Sequence, residues 1–244
     1  MDINLNKWVA LNFAGVVLIA ALVACSSAET SQTAETKTSE MNHEMHESES
    51  GHDMETLPVP FRLAFMSGHV QAGLSLYRAG EPEMAAPHLL HPVSETHQAE
   101  RAGLDALGFT PDVFESVSEA LDAGRPASEI EPDLVKAEAN LKAMAEAAGG
   151  DKAEIIRFLM DTIVEEYTIA ITDGIVSDPG EYQDAYGFAV VAKDHAVSLN
   201  NATLLAEIEG LLALWPSDAP IPPSNPTSVT QVTAKTEAVK GELP

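Results

Sequence analysis

The stretch Asp151–Asp173, DKAEIIRFLMDTIVEEYTIAITD, decides the fold class. Apolar residues recur in it at every third or fourth position, as they do on one face of an α-helix. These residues are Ile155, Ile156, Leu159, Met160, Ile163, Val164, Tyr167, Ala170 and Ile171. Gly174 follows as a helix stop, so the spacing predicts one long amphipathic helix that packs against other helices.

The same periodicity continues on both sides of this stretch. It predicts further helices at Phe61–Gly80, Glu81–His91, Val93–Leu107, Asp112–Ala123, Glu129–Ala148, Pro179–Leu199 and Ala202–Leu214. Proline and glycine at the helix ends indicate short turns, and no segment needs to be a strand. We therefore expect an all-α domain over residues 57–216, an antiparallel bundle of roughly seven or eight helices.

The charge and motif content exclude several classes of protein. The chain has 38 acidic and 13 basic residues, a formal charge of −25, which argues against nucleic acid as a partner. Its single cysteine, Cys25, rules out an intrachain disulfide. No P-loop, Rossmann fingerprint, HExxH or CxxC occurs, so we expect a protein that is not an enzyme.

An apolar run at Val9–Ala24 precedes Cys25 and is too short to span a bilayer, which takes about 20 residues. It ends in LVAC at residues 22–25, which is similar to a bacterial lipobox. We expect residues 1–25 to be a lipoprotein signal peptide, with Cys25 lipidated as the mature N-terminus. Ser26 then favours the outer membrane, facing the periplasm. The alternative is an uncleaved anchor in which Cys25 is incidental.

Two polar segments flank the predicted domain. Residues 26–56 are acidic and lack an apolar period, which predicts a disordered tether. This tether carries imidazole and thioether groups that suit copper or another metal, at Met41, His43, Met45, His46 and His52. The alternative is a solvated linker with a chance bias in composition. Residues 217–244 are rich in Pro, Ser and Thr and predict a disordered tail.

Four polar residues fall inside the apolar stripes of the predicted helices: His69, Glu166, Asp184 and His195. A buried carboxylate is costly unless it is paired or bound to a cation, so these residues are candidates for an interior metal site. The alternative is a hydrogen-bonded network, His69–Glu166 or Asp184–His195, that fixes packing without a function. Glu181 shares the stripe of Asp184, but a capping box that begins at Asp178 accounts for it.

A second candidate metal site consists of His88, His91 and Glu95. One helical turn places the two histidines on the same side, and Glu95 follows one turn later. Two imidazoles and a carboxylate can bind one divalent ion. The alternative is a surface helix whose histidines pair with neighbouring acids.

Two stretches resemble the extracytoplasmic helical region of bacterial iron permeases. The first consists of EYTIA at 166–170, DG at 173–174, DPGEYQDA at 178–185 and GF at 187–188. The second is LYRAGE at 76–81, followed by AA at 85–86. The membrane part of the permease, with its Arg-Glu-x-x-Glu motif, has no counterpart here. The resemblance implies a helical envelope module that works on or beside metal uptake, with an envelope metal-transport protein as partner.

Two hypotheses follow for function. In the first, the chain is a lipid-anchored periplasmic protein that binds iron, or else copper or another divalent or trivalent metal, as an accessory to metal uptake. In the second, it is a non-catalytic helical module that docks an envelope partner and holds a buried His/carboxylate network without metal. Ligands that converge in space favour the first hypothesis.

We predict that Cys25→Ala either blocks signal processing or moves the protein from the detergent phase to the aqueous phase in Triton X-114 partitioning. The reason is that lipid attachment needs the cysteine thiol, whereas Ser27→Ala, the control, leaves the thiol intact. A mature protein whose sequence begins upstream of Ala24 would contradict the prediction.

Overall fold

The computed structural model describes residues 56–93, 101, 103–216 and 219–244. Within these residues the chain forms eight α-helices, which confirms the predicted all-α bundle. They are α1 (Val59–Arg78), α2 (Pro82–Leu90), α3 (Pro111–Asp122), α4 (Ala127–Ala148), α5 (Lys152–Ala170), α6 (Pro179–Val197), α7 (Ala202–Leu212) and α8 (Val229–Gly241). A short 3₁₀ turn, Asp105–Leu107, precedes α3.

One short hairpin corrects the expectation that no strand is needed. After α5 the chain forms β1 (Ile171–Thr172) and β2 (Ile175–Val176), which pair antiparallel with Ile171 opposite Val176. The turn between them, Asp173-Gly174, has φ values of 54° and 78°. Two consecutive positive φ angles match the twist of a two-residue hairpin, and Asp-Gly adopts them readily. The hairpin reverses the chain so that α6 returns along α5.

Helix α1 lies between two hydrophobic clusters and supplies residues to both. On one side Ala64 and Phe65 pack with α5, α6, α7 and α8. On the other side Leu63, Met66 and Val70 pack with α2, α3 and α4. A helix that is apolar around most of its circumference is typically buried in this way.

The backbones of α1 and α6 touch where Gly68 meets Gly187. A Cβ atom on Gly187 would lie 2.0 Å from the carbonyl oxygen of Gly68, and one on Gly68 would lie 2.1 Å from the ring of Phe188. Neither position has room for a side chain. The two helices therefore cross at backbone distance, which fixes the residues near the crossing point relative to each other.

The prediction of a disordered C-terminal tail is wrong for its last part, because residues 229–241 form α8. Ser228 and Gln231 make a capping box at its start. Val232 and Val239 are buried at 1% and 0% exposure. Tyr167 on α5 donates a hydrogen bond of 2.8 Å to the carbonyl of Thr227, just before the helix. The helix is stabilised by this packing, and its polar composition conceals a narrow apolar stripe.

The predicted signal peptide and Cys25 lie outside the described residues, as does the predicted tether except for Thr56. Among the described helices, none has the length and apolar character that a membrane crossing requires.

We predict that Gly187→Ala destabilises the protein by about 3 kcal/mol, because overpacking against a backbone carbonyl forces α1 and α6 apart. The measurement is chemical denaturation of the full chain. Gly210→Ala is the matched control: its new Cβ meets only the flexible end of Lys235, and alanine favours the helix. Equal stability of the two variants would contradict the close crossing.

Candidate metal centre

Three side chains from three helices converge inside the bundle. Asp184 on α6 accepts from His69 on α1, with Nδ1 and Oδ1 2.7 Å apart. The same oxygen lies 2.9 Å from Nδ1 of His88 on α2. Taking one donor atom from each residue, the three atoms lie within 4.8 Å of one another. We call this group the His–His–Asp cluster.

Helix packing positions each member of the His–His–Asp cluster. His69 follows Gly68 at the crossing of α1 and α6, and Asp184 lies one turn before Gly187 on α6. Helix α2 approaches α1 closely at Gly73, where an added Cβ would lie 3.0 Å from Cβ of His88. Glycines thus let three backbones come near enough for the three side chains to meet.

His88 is buried at 5% exposure and bonded at both ring nitrogens. Its Nε2 lies 2.8 Å from Oε1 of Gln183, and its Nδ1 faces Asp184. Burial alone lowers the pKa of His88, but the charge and hydrogen bond of Asp184, helped by Gln183 and Glu181, outweigh it and raise the pKa. The metal-free site therefore favours an imidazolium at His88.

Asp184 is the carboxylate on which both histidines converge. Burial by itself raises its pKa, but the charges and hydrogen bonds of His69 and His88 hold the pKa far below its usual range. Asp184 is consequently ionised at any ordinary pH, and its charge is available to a cation as well as to the imidazoles.

His69 has one ring nitrogen without a partner in the part of the chain that the structure describes. Its Nδ1 donates to Asp184, while Nε2 is buried and accepts no hydrogen bond. The ring stacks on His91 at 3.9 Å between centroids and meets the edge of Phe65 at 4.8 Å. In the tautomer that donates from Nδ1, Nε2 carries a lone pair on the side of the ring that faces away from Asp184.

A pair of carboxyl groups lies next to the His–His–Asp cluster. Glu166 near the end of α5 hydrogen-bonds Glu181 in the first turn of α6. Burial, this bond and the charges of neighbouring acids raise the pKa of Glu166 to about 11. Burial also raises the pKa of Glu181, although the bond with Glu166 opposes this. Glu166 therefore keeps its proton and donates it to Glu181.

The donor set fits a transition metal. Two imidazoles and one carboxylate are the ligands of many non-haem iron(II) centres, and imidazole also suits zinc and copper. The atoms that meet in the His–His–Asp cluster are Nδ1 of His69, Nδ1 of His88 and Oδ1 of Asp184. A bound ion would displace the proton of His88, because metal ligands must be deprotonated.

The structure combines residues from the two sites that the sequence predicts. His69 and Asp184 come from the core site, and His88 comes from the second site. His91 is buried and stacks on His69. Glu95 lies outside the described residues, as do the tether residues Met41, His43, Met45, His46 and His52.

Both predicted core pairings are wrong: Asp184 bonds His69 and His88, and Glu166 bonds Glu181. His195 shares the stripe of Asp184 but lies 11 residues further on, about 16 Å along the helix at 1.5 Å per residue. It lines a cavity of about 560 Å³ together with Lys152 and Asp194. Burial and the charge of Lys152 lower the pKa of His195 to about 4.

Sequence reasoning missed the roles of Glu181 and Gln183. Asp178 does cap α6, since its side chain accepts from the backbone of Gly180 and Glu181. The predicted capping box does not form, however, because the backbone N–H of Asp178 donates to the carbonyl of Ala170 and the side chain of Glu181 bonds Glu166 instead. The sequence did contain a signal for an interior role of Glu181, because this residue lies one helical turn before Asp184 on the same face.

These features define a class of protein: a helical bundle with an interior cluster of histidines and carboxylates. Residues 146–243 match the family model described as the iron permease-associated 4-helix bundle domain, which confirms the resemblance to the helical region of iron permeases. The matched segment contains four helices, α5 to α8, and therefore Glu166, Glu181 and Asp184. His69 and His88 precede it. No curated protein and no solved structure matches the chain.

We predict that Asp184→Asn lowers the pKa of His88 in the metal-free protein, because burial is then opposed only by Gln183 and Glu181. The measurement is an NMR titration of the imidazole signals. In the parent the pKa of His88 is raised, so the contact between His88 and Asp184 stabilises the fold fully below about pH 6.5. This stabilisation is lost as the pH rises through the pKa of His88 in the folded state. His195 is the internal control, since its pKa should not move. An unchanged pKa of His88 would contradict the assignment.

Proposed function

We propose that the protein is a lipid-anchored, periplasm-facing metal-binding protein that is accessory to iron uptake, and that His69, His88 and Asp184 hold the ion. It binds and hands over metal and is not an enzyme. The anchor is Cys25, and the partner is an envelope metal-transport protein. Contact with the membrane is through the lipid alone.

The convergence of the His–His–Asp cluster is the observation that supports this proposal. Its members come from three helices and are separated by up to 115 residues in the chain, yet their donor atoms meet within 4.8 Å. Nδ1 of His69 and Nδ1 of His88 both face the carboxylate of Asp184, which is buried and charged. A buried charge is costly unless it is paired or bound to a cation, and a metal ion held by these three residues would meet that requirement.

The alternative is a packing network without metal. It is favoured by the bonds that Asp184 already makes to both histidines, which satisfy that carboxylate. It does not account for the buried Oε2 of Glu166, which has no partner among the described residues although the charge of Asp184 acts on this residue. A buried polar atom without a partner, near a cluster of metal-binding side chains, favours the first hypothesis.

Iron is the favoured ion on two grounds. The match to the iron permease-associated 4-helix bundle domain covers the helices that carry Asp184 and Glu166. The ligand set of two histidines and one carboxylate suits iron(II). The formal charge of −25 also concentrates cations near the surface. The Met/His groups of the tether are proposed to collect ions, copper included, before they reach the interior.

We predict that Fe(II), supplied without oxygen, raises the melting temperature of the chelator-treated full chain at pH 7. Ion at about 100 times its dissociation constant would stabilise the fold by about 2.7 kcal/mol. Asp184→Asn and His69→Gln should each remove most of this shift. His195→Gln should retain it, because His195 lies away from the cluster. Zn(II), Cu(II) and Mn(II) melts establish the preference among metals.

The same melts decide between the two hypotheses. If none of the four ions shifts the melting temperature of the parent between pH 6 and pH 8, the result would favour the alternative, in which the cluster is a packing network without metal. A shift that survives both Asp184→Asn and His69→Gln would place the ion elsewhere. Replacing the five Met and His residues of the tether by serine should leave the shift of the folded domain unchanged.

A further inference from the structure

We infer that the interior binds a second cation, held by Glu166 and Glu181, so that the metal centre is dinuclear. This inference deepens the proposed function and rests on it. The first ion occupies the His–His–Asp cluster and the second occupies the pair of glutamates beside it.

The two glutamates hydrogen-bond each other in the interior of the bundle. Glu166 is 3% exposed and comes from α5, whereas Glu181 comes from the first turn of α6, so two helices bring the carboxyl groups together. Two carboxyl groups can bond each other only when one of them holds a proton. A cation between them would replace that proton and allow both to ionise.

Glu166 also offers an oxygen that no described residue bonds. Its Oε2 is buried and has no hydrogen-bond partner, while the carboxyl group bonds Glu181. An unpartnered carboxyl oxygen in the interior costs free energy unless a ligand binds it. This oxygen is an observation separate from the clustering of acids, and it points to a ligand.

The two proposed ions would be neighbours. Glu181 lies one helical turn before Asp184, so both side chains leave the same face of α6. The charge of Asp184 acts on both glutamates, and the charge of Glu181 acts on His88. An ion at the glutamate pair would therefore lie near an ion at the His–His–Asp cluster.

The ligands suggest which ions can share the centre. The glutamate pair offers only oxygen, which suits Mn(II) or Fe(II) better than copper. The His–His–Asp cluster offers nitrogen and oxygen and accepts the same two ions. Three carboxylates also supply most of the negative charge that a pair of divalent ions requires, whereas Asp184 alone does not.

The test counts Mn(II) ions bound to the full chain, with the tether residues Met41, His43, Met45, His46 and His52 changed to serine throughout. Metal content after equilibrium dialysis gives the stoichiometry, and EPR reports whether neighbouring ions are spin-coupled. We expect two ions per chain and a coupled signal in the parent. Glu166→Gln and Glu181→Gln should each bind one ion with an isolated six-line signal. Glu154→Gln, an exposed acid on α5, is the control and should bind two.

Three other outcomes would each contradict the second cation site, and they can be told apart. One ion in the parent, lost in Asp184→Asn and kept in Glu166→Gln, would leave the proposed function standing with a single ion. Two coupled ions in both glutamine variants would place the second ion elsewhere. No bound ion in a folded parent, as judged by circular dichroism, would overturn the dinuclear centre, and the melting experiment then decides the proposed function alone.

Discussion

The close crossing of α1 and α6 is the constraint on which the rest of the structure depends. Gly68 and Gly187 allow the two backbones to touch, and a methyl group at either position would collide. Because the helices meet at this distance, His69 reaches Asp184 at 2.7 Å. The crossing also leaves α1 between the two hydrophobic clusters, so that one helix connects the two halves of the bundle.

The interior carries more acid than an apolar core can hold without compensation. Asp184 is compensated by two imidazoles, and the Glu166–Glu181 pair is compensated by a retained proton. A metal ion at either place would release these protons, because metal ligands must be deprotonated. The matched domain contributes the acids, and α1 and α2 contribute the histidines. The proposed site thus exists only where these two parts of the chain pack together.

Helical periodicity predicted much of this structure and also shows where such prediction stops. The apolar spacing of residues 155–170 located α5, and it placed His69, Glu166 and Asp184 on inward faces. Periodicity predicts which face of a helix a residue occupies, but it does not predict which residues of neighbouring helices lie at the same level along the bundle axis. For that reason His195 was grouped with Asp184, while His88, which makes the actual contact, was assigned to another site. Helix α8 was missed because only Val232, Thr236 and Val239 mark its buried side.

The central claim is that cations bind inside the bundle at the His–His–Asp cluster, and anomalous diffraction from crystals grown with Mn(II) or Fe(II) tests it most directly. The account predicts an anomalous peak about 2 Å from donor atoms of His69, His88 and Asp184. It predicts a second peak beside it, within bonding distance of Glu166 and Glu181. Fully loaded crystals that show peaks only at surface carboxylates, with the interior hydrogen bonds of Asp184 intact, would contradict the account.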